Sequence, residues 1–488
     1  MAGAQRRPWA PLPSTTADIT RDAVIVIPGI MGSALEDAAT GEPLWGLSVN
    51  LLARAWSRRD ALLPLHLTPE ERAGKYGRVR ATGLLKVPTW APFLQGLEPY
   101  GDLVDAVRKT VADSAAILEF PYDWRLPVTV NGARLAAAAC SHLDAWRTHP
   151  MADGGDGPAR LVFVAHSMGG LVTRAAFADP SADLMSDTRA VITLGTPFHG
   201  SVKAAAILNG SRQDPLPTLP RYRMAALAAT LPGVHDLLPG FRCVDAGLEV
   251  HRLTPRDVGG LGGDEELAEQ AQEFRKRIRM SGPQALPGHR AVVGIAQPTM
   301  QSLRLDSGIV HAQYVGFRPD SDGGLRRTPD GIPERHDRMG DGTVQRDAAS
   351  LGGAGVAYLP LQHGALAKDS VALRYVQAVL TEPDEELGLP LGAGEIGLVV
   401  PDSVEVGETW TLRVTGVDSP AHILCSIHDA ENDRRLDTPR LRWMDGEIGA
   451  PVTLTTPGLY RVRVNTGGNS PVTQLLLAAA PNASDLDG

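Results

Sequence analysis

Cysteine is scarce in this chain, with three in 488 residues, at Cys140, Cys243 and Cys425. An odd, widely scattered set supplies neither a disulfide framework nor metal-ligand spacing, and it fits a reducing compartment. No apolar run approaches the length needed to cross a bilayer. The first twenty residues carry Arg6, Arg7 and several prolines but no apolar stretch of the kind a secretory signal contains, so a cytoplasmic protein is expected. Positive charge is in deficit, 47 Lys and Arg against 56 Asp and Glu, for a net charge of −9. That argues against nucleic acid as a partner and provides no basic patch for anionic membranes. A phosphate-cradling glycine loop and a dinucleotide fingerprint are both missing, so neither a cofactor nor a metal is expected.

What is present is ordinary globular material. The chain is 43% apolar and too long for one core, which points to a large domain followed by a small one. After an N-terminal tail (1–21), short apolar strands alternate with helical patterns over 22–382, the mark of an α/β fold with a mostly parallel sheet. The expected strands are Ala23–Ile27, Ile117–Phe120, Leu161–Ala165, Ala190–Leu194, Ala291–Ala296 and Val356–Leu361. Helical periodicity fills 101–113, 132–147, 169–178, 264–280 and 365–380. Two long segments, about 45–100 and 200–288, interrupt the alternation and read as cap and lid insertions. Trp45, Leu51, Leu52, Trp56, Leu62, Leu63 and Leu65 make the first of these strongly apolar. A linker is expected at 383–398. Period-two segments follow over 399–480, predicting a small all-β, immunoglobulin-like sandwich before a tail at 481–488.

The most informative stretch is Leu161-Val-Phe-Val-Ala-His-Ser-Met-Gly-Gly170. An apolar β-branched run stops at Ser167, small residues flank it at Ala165 and Gly169, and a helical pattern follows. This is the strand, sharp turn and helix that present a nucleophilic serine above a sheet. The same turn frees the Met168 N–H to bind an oxyanion.

A serine hydroxyl needs a base, and the base needs an orienting carboxylate. Downstream, Gly340-Asp341-Gly342-Thr343-Val344 holds an acid between glycines at a strand end. After Asp341 only His363, His422 and His428 remain. The last two lie in the predicted sandwich, whereas His363 follows the last predicted strand, where this fold places its base. The second oxyanion donor is expected from the loop after the first strand, at Ile30 or Met31, made tight by Pro28, Gly29 and Gly32. His166, beside the serine, is expected to point away from the reacting centre. His199, in Thr196-Pro-Phe-His-Gly, is expected to line or support the site.

Four segments together resemble the lecithin:cholesterol acyltransferase family: Val26-Ile-Pro-Gly-Ile-Met-Gly-Ser33, Pro121-Tyr-Asp-Trp-Arg125, Ala165-His-Ser-Met-Gly-Gly170 and Leu194-Gly-Thr-Pro-Phe-His-Gly-Ser201. Leu44-Trp45-Gly is similar to the aromatic segment that opens that family's lid. The resemblance covers about residues 22–380. It implies an α/β-hydrolase core with a membrane-binding cap and a lid, and acyl-ester attack by Ser167 with the acyl group passed to water or an alcohol. It also implies that Trp45, Asp123 and Trp124 lie near the acyl pocket, with Asp123 and Arg125 as a supporting ion pair. The family's cysteine pair near the lid is missing here.

The expected function is therefore a serine acyl-ester hydrolase or O-acyltransferase working on a lipid ester at a transient membrane surface. Two alternatives remain open: an effector lipase whose β module directs it to a protein partner, and a catalytically silent binding scaffold. Because no candidate catalytic residue lies beyond the linker, the β module is expected to be dispensable for turnover of a soluble ester.

Overall fold

The computed structural model describes residues 19–46, 62–91, 95–97, 99–153, 157–209, 221–281, 285–306, 308–320, 324–381, 396–421, 423–465 and 471–480. Leu51, Leu52, Trp56, His422, both tails beyond these limits and most of the expected linker lie outside the described residues.

Six strands form the central sheet: β1 (Ala23–Ile27), β2 (Ile117–Glu119), β3 (Leu161–His166), β4 (Thr188–Leu194), β5 (Arg290–Gly294) and β6 (Gly355–Leu359). Their spatial order is β6-β5-β4-β3-β1-β2, and every neighbouring pair is parallel. All five residues of β1 and all six of β3 are buried, as strands covered on both faces must be. The helices of the chain include α1 (Gly101–Arg108), α2 (Val128–Arg147), α3 (Met168–Phe177), α4 (Val202–Asn209), α5 (Glu265–Ser281) and α6 (Ser370–Thr381), of which α1, α2 and α3 pack on the central strands. This is the parallel sheet of an α/β fold, and its six strands are the six expected from apolar runs. Among the described residues, no helix is long and apolar enough to cross a membrane.

The first insertion carries a three-stranded antiparallel sheet with Ser33–Asp37 between Pro43–Trp45 and Val79–Leu84. The second contributes α4, α5 and the short helices Arg221–Ala228 and Pro232–His235. Between β5 and Asp341 lies a hairpin, Ser302–Asp306 with Ile309–Gln313, which was not among the expected strands.

Among the described residues the C-terminal region is a two-sheet sandwich of nine strands: β7 (Gly397–Val399), β8 (Ser403–Glu405), β9 (Thr409–Thr415), β10 (Leu424–Asp429), β11 (Arg435–Asp437), β12 (Arg442–Met444), β13 (Glu447–Thr453), β14 (Gly458–Asn465) and β15 (Val472–Ala479). One sheet runs β7-β9-β13-β12 and the other β8-β15-β14-β10-β11. Along β9, Trp410, Leu412 and Val414 face the shared core while Thr409, Thr411 and Arg413 face outward, the alternation of a strand buried on one face. The end of the expected linker is already strand, because β7 begins at Gly397.

The sandwich is joined to the α/β region by buried amides. Gln297 Nε2 donates to the Ile396 carbonyl (2.8 Å), and Leu398 N–H donates to Gln297 Oε1 (3.0 Å). Gln362 Nε2 lies within reach of Gln297 Oε1 (3.2 Å), the Leu398 carbonyl (3.2 Å) and Gln474 Oε1 (3.3 Å). Gln474 Nε2 in turn donates to the Val400 carbonyl (2.8 Å). All three glutamines are buried, so each unpaired amide would carry the desolvation penalty of a lost hydrogen bond.

Candidate active site

β3 ends at His166, and the chain turns into α3 through Ser167, which has φ 52° and ψ −125°. A non-glycine residue with positive φ is strained. Here the strain is held by Ser167 N–H donating to the Leu194 carbonyl (2.9 Å) and by tight packing around the turn. A Cβ on Gly169 would sit 2.5 Å from the Pro28 carbonyl oxygen, which explains why the residue two beyond the serine has no side chain.

Ser167, His363 and Asp341, separated by up to 196 positions, meet in one hydrogen-bonded run. His363 Nε2 is 2.8 Å from Ser167 Oγ, and His363 Nδ1 is 2.7 Å from Asp341 Oδ2. With Nδ1–H donating to the carboxylate, Nε2 is left to accept the serine proton. The other oxygen of Asp341 accepts the N–H groups of Thr343 (2.9 Å) and Val344 (2.6 Å), and His363 N–H donates to the Asp341 carbonyl (2.9 Å). Gly195, at φ +59°, lies directly against this pair: a Cβ there would be 3.0 Å from Asp341 Oδ2 and 3.1 Å from His363 Nδ1.

The acid loop is anchored from β5. Gln297 and Gly340 exchange backbone hydrogen bonds (2.9 and 3.1 Å), and Thr299 Oγ1 accepts from the N–H groups of Gly340 (3.0 Å) and Gly342 (2.9 Å). Both loops bearing the acid and the base thus abut the glutamine network to the sandwich. Sequence reasoning missed Gln297, Gln362 and Gln474, because isolated glutamines carry no spacing signal.

Met168 is the first residue of α3, so its N–H has no partner within the helix. The amides of Ile30 and Met31 also lack an acceptor among the described residues, and Met31 has φ 60°. Beside them, Gly29 N–H donates to the Tyr100 hydroxyl (2.8 Å). That hydroxyl reaches His166 Nδ1 (2.8 Å), and His166 Nε2–H donates to the His363 carbonyl (3.0 Å). His166 therefore does not point away from the centre as expected. Its ring centroid is 5.1 Å from that of His363. Burial, then the nearby His363 charge, pushes the His166 pKa down to about 3. The ring bends inward because two partners on different elements hold its two nitrogens.

An apolar pocket opens from Ser167 and His363 along Ile207, Met224, Leu227, Leu231 and Leu237. Ile30, Met31 and Trp124 also line it. Lys203 is a buried cation in the same wall, and burial lowers its pKa below the usual lysine value. Trp45 is not in this wall. It packs edge-on against Trp124 with ring centroids 5.6 Å apart and donates Nε1–H to the Met31 carbonyl (2.7 Å), so it supports the pocket from behind. Asp123 is also outside the wall. Its carboxylate is engaged by Arg125 Nε (2.9 Å) and Nη2 (2.8 Å), and Arg125 Nη2 also reaches Glu71 Oε1 (2.9 Å). All three groups are buried, so this paired network ties the first insertion to the core. His199 lies in a different cavity, beside Arg174 and Phe241.

The model of the lecithin:cholesterol acyltransferase family matches residues 79–253. The chain is thus similar to that family across β2, β3, α3 and β4. No curated protein matches. Among solved structures, a chain of the Tle4–Tli4 complex is 14% identical with a TM-score of 0.42, over 73% of this chain and 97% of that one. The lipase BlEst2 of Bacillus licheniformis, in its propeptide form, is 12% identical with a TM-score of 0.34, over 96% and 95%. The M1 domain from titin is 15% identical with a TM-score of 0.13, over 16% and 84%.

Proposed function

We propose that this chain is a serine acyl-ester hydrolase or O-acyltransferase acting on lipid esters. The observation that carries this reading is the run from Ser167 Oγ through the His363 ring to Asp341, set in the wall of an apolar pocket. His363 Nε2 takes the hydroxyl proton as Ser167 Oγ bonds to the ester carbonyl carbon. The electron pair displaced onto the carbonyl oxygen is held by the N–H of Met168 and that of Ile30 or Met31. His363 then gives its proton to the departing alkoxide oxygen as the C–O bond breaks, leaving an acyl-enzyme. Water or an acceptor alcohol loses a proton to His363 as it attacks the acyl carbon, and His363 returns that proton to Ser167 Oγ as the acyl–oxygen bond breaks.

The lipid assignment is supported by the apolar wall of the pocket and by the family match. Leu63 is 62% exposed on the first insertion. Exposing such apolar surface to water is unfavourable by about 25 cal/mol per Å² and less so on a lipid surface, so faster turnover is expected once the substrate aggregates.

The decisive experiment uses Ser167→Ala. The variant should remain folded by circular dichroism yet lose fluorophosphonate labelling and ester hydrolysis by about 10⁴-fold or more. The wild type should turn over phospholipid vesicles and long-chain esters faster than monomeric butyrate esters. Labelling of the alanine variant at another serine would overturn the nucleophile. A smooth saturation curve through the micellar transition, with acetate or butyrate preferred, would overturn the lipid assignment.

A further inference from the structure

Four arginines converge on a second cavity that shares no lining residue with the apolar pocket at Ser167. Arg174 comes from α3, the helix that starts at the serine. Arg275 and Arg279 lie one helical turn apart on α5, and Arg252 projects from the strand Val250–Arg252. Such a concentration of positive charge runs against the chain's composition, whose net charge is −9.

Among the described residues Asp236 is the acid that acts on this cluster, and its charge is felt by Arg275. Among the described residues no carboxylate pairs with Arg174, Arg252 or Arg279, and Arg174 Nε is buried without an acceptor. Arg275 uses Nη2 to bind the carbonyls of Asp236 (3.0 Å), His235 (3.4 Å) and Leu238. Asp236, in the cavity wall, accepts the Val128 N–H (2.8 Å), and burial raises its pKa to about 6. Burial and then Arg279 lower the Arg174 pKa, while burial and then Arg174 lower that of His199. Arg275 falls to about 10, chiefly through burial, although Asp236 opposes the shift. Cations gathered in a half-buried space repel one another unless an anion joins them.

The remaining walls are apolar. Phe198 lies under Arg174, whose Cζ is 6.0 Å from the ring centroid, and Phe241 and Phe274 complete the aromatic surface. The cavity volume is about 240 Å³. At roughly 30 Å³ for each water-sized group, it admits a head group and a short apolar segment.

We propose that this cavity binds an amphiphilic anion, a phosphate or carboxylate head on an apolar tail. Forked guanidinium donors suit the paired oxygens of either head, and the phenylalanines suit the tail. The site stands apart from the catalytic assignment, because none of its residues takes part in the acyl-transfer steps.

Calorimetric titration of the full chain with hexyl phosphate, hexanoate, hexanol and inorganic phosphate tests the site. Hexyl phosphate or hexanoate should bind with an affinity that falls as salt rises, and hexanol should bind at least tenfold more weakly. The head that binds more tightly identifies the source, a phosphomonoester or a free fatty acid. Arg279→Gln, at an exposed position with no partner among the described residues, should retain the fold and weaken the preferred anion about tenfold. Lys203→Gln, in the other pocket, should leave that affinity unchanged. Equal binding by wild type and Arg279→Gln, or hexanol binding as tightly as the anions, would overturn the proposal. Inorganic phosphate binding as tightly as hexyl phosphate would remove the apolar subsite from it.

Discussion

The two halves of the candidate site are held in different ways. Ser167 sits at the turn from β3 into α3, Met168 opens α3, and the amides of Ile30 and Met31 lie in the short loop after β1, so all three groups sit at the ends of central elements. Asp341 and His363 sit on loops beyond β5 and β6, and those loops are braced from outside the sheet by buried glutamines that reach β7 and β15. Any α/β sheet with a tight turn can present a serine. The loops that carry the carboxylate and the imidazole also make buried hydrogen bonds to the sandwich.

If the two halves form one catalytic unit, damage to either should be equally severe. His363→Ala should lower kcat for a soluble ester by about 10⁴-fold, matching Ser167→Ala, and the double variant should be no worse than either alone. Asp341→Asn should lose somewhat less. Steady-state kinetics with p-nitrophenyl butyrate measure all of these, and a fully active His363→Ala would dissolve the comparison by removing one half of the site.

Removing the sandwich addresses the external support. From sequence alone the module looked dispensable, since no candidate catalytic residue lies within it. The packing gives grounds for predicting the opposite. A chain ended at residue 390 strips Gln297 and Gln362 of their partners at Ile396, Leu398 and Gln474. Displacing reacting groups by about 1 Å can cost on the order of 100-fold in rate, and a loss of that size is expected here. Gln474→Leu is the milder version, with kcat reduced about tenfold and KM unchanged. Wild-type turnover by the truncated chain would show that the acid and base loops hold themselves.

This contrast also explains which parts of the molecule could be read from sequence. The six central strands are legible because strands buried on both faces become apolar runs. Ser167, Asp341 and His363 are legible because turn geometry and chain order constrain them. Gln297, Gln362 and Gln474 are not, since an amide's role depends on what a distant strand presents to it. Asp123 and His199 fall in the expected motifs but not in the pocket wall, because a motif gives proximity in sequence rather than the direction of a side chain. His166 was misread for the same reason: strand alternation alone does not capture the pull of Tyr100 and the His363 carbonyl.

His166 joins the two halves, and its burial offers the finest test of their linkage. Tyr100 connects its Nδ1 to Gly29 on the oxyanion loop, while its Nε2–H holds the backbone of His363. Its folded pKa of about 3 lies below the ordinary histidine value of 6.5. Above pH 6.5 the ring is neutral in both folded and unfolded chains and adds no pH dependence. Below that, the unfolded chain takes up a proton that the folded chain refuses, so stability is lost as pH falls towards 3. One such group contributes a slope of about 1.4 kcal/mol per pH unit. Urea unfolding of His166→Gln between pH 6 and pH 4 should therefore show a shallower loss than wild type by about that amount. The variant should also start from lower stability at pH 7, where the hydrogen bonds to Tyr100 and His363 are changed. Identical slopes would mean that His166 is protonated in the folded state, and the neutral bridge between oxyanion loop and base would have to be abandoned.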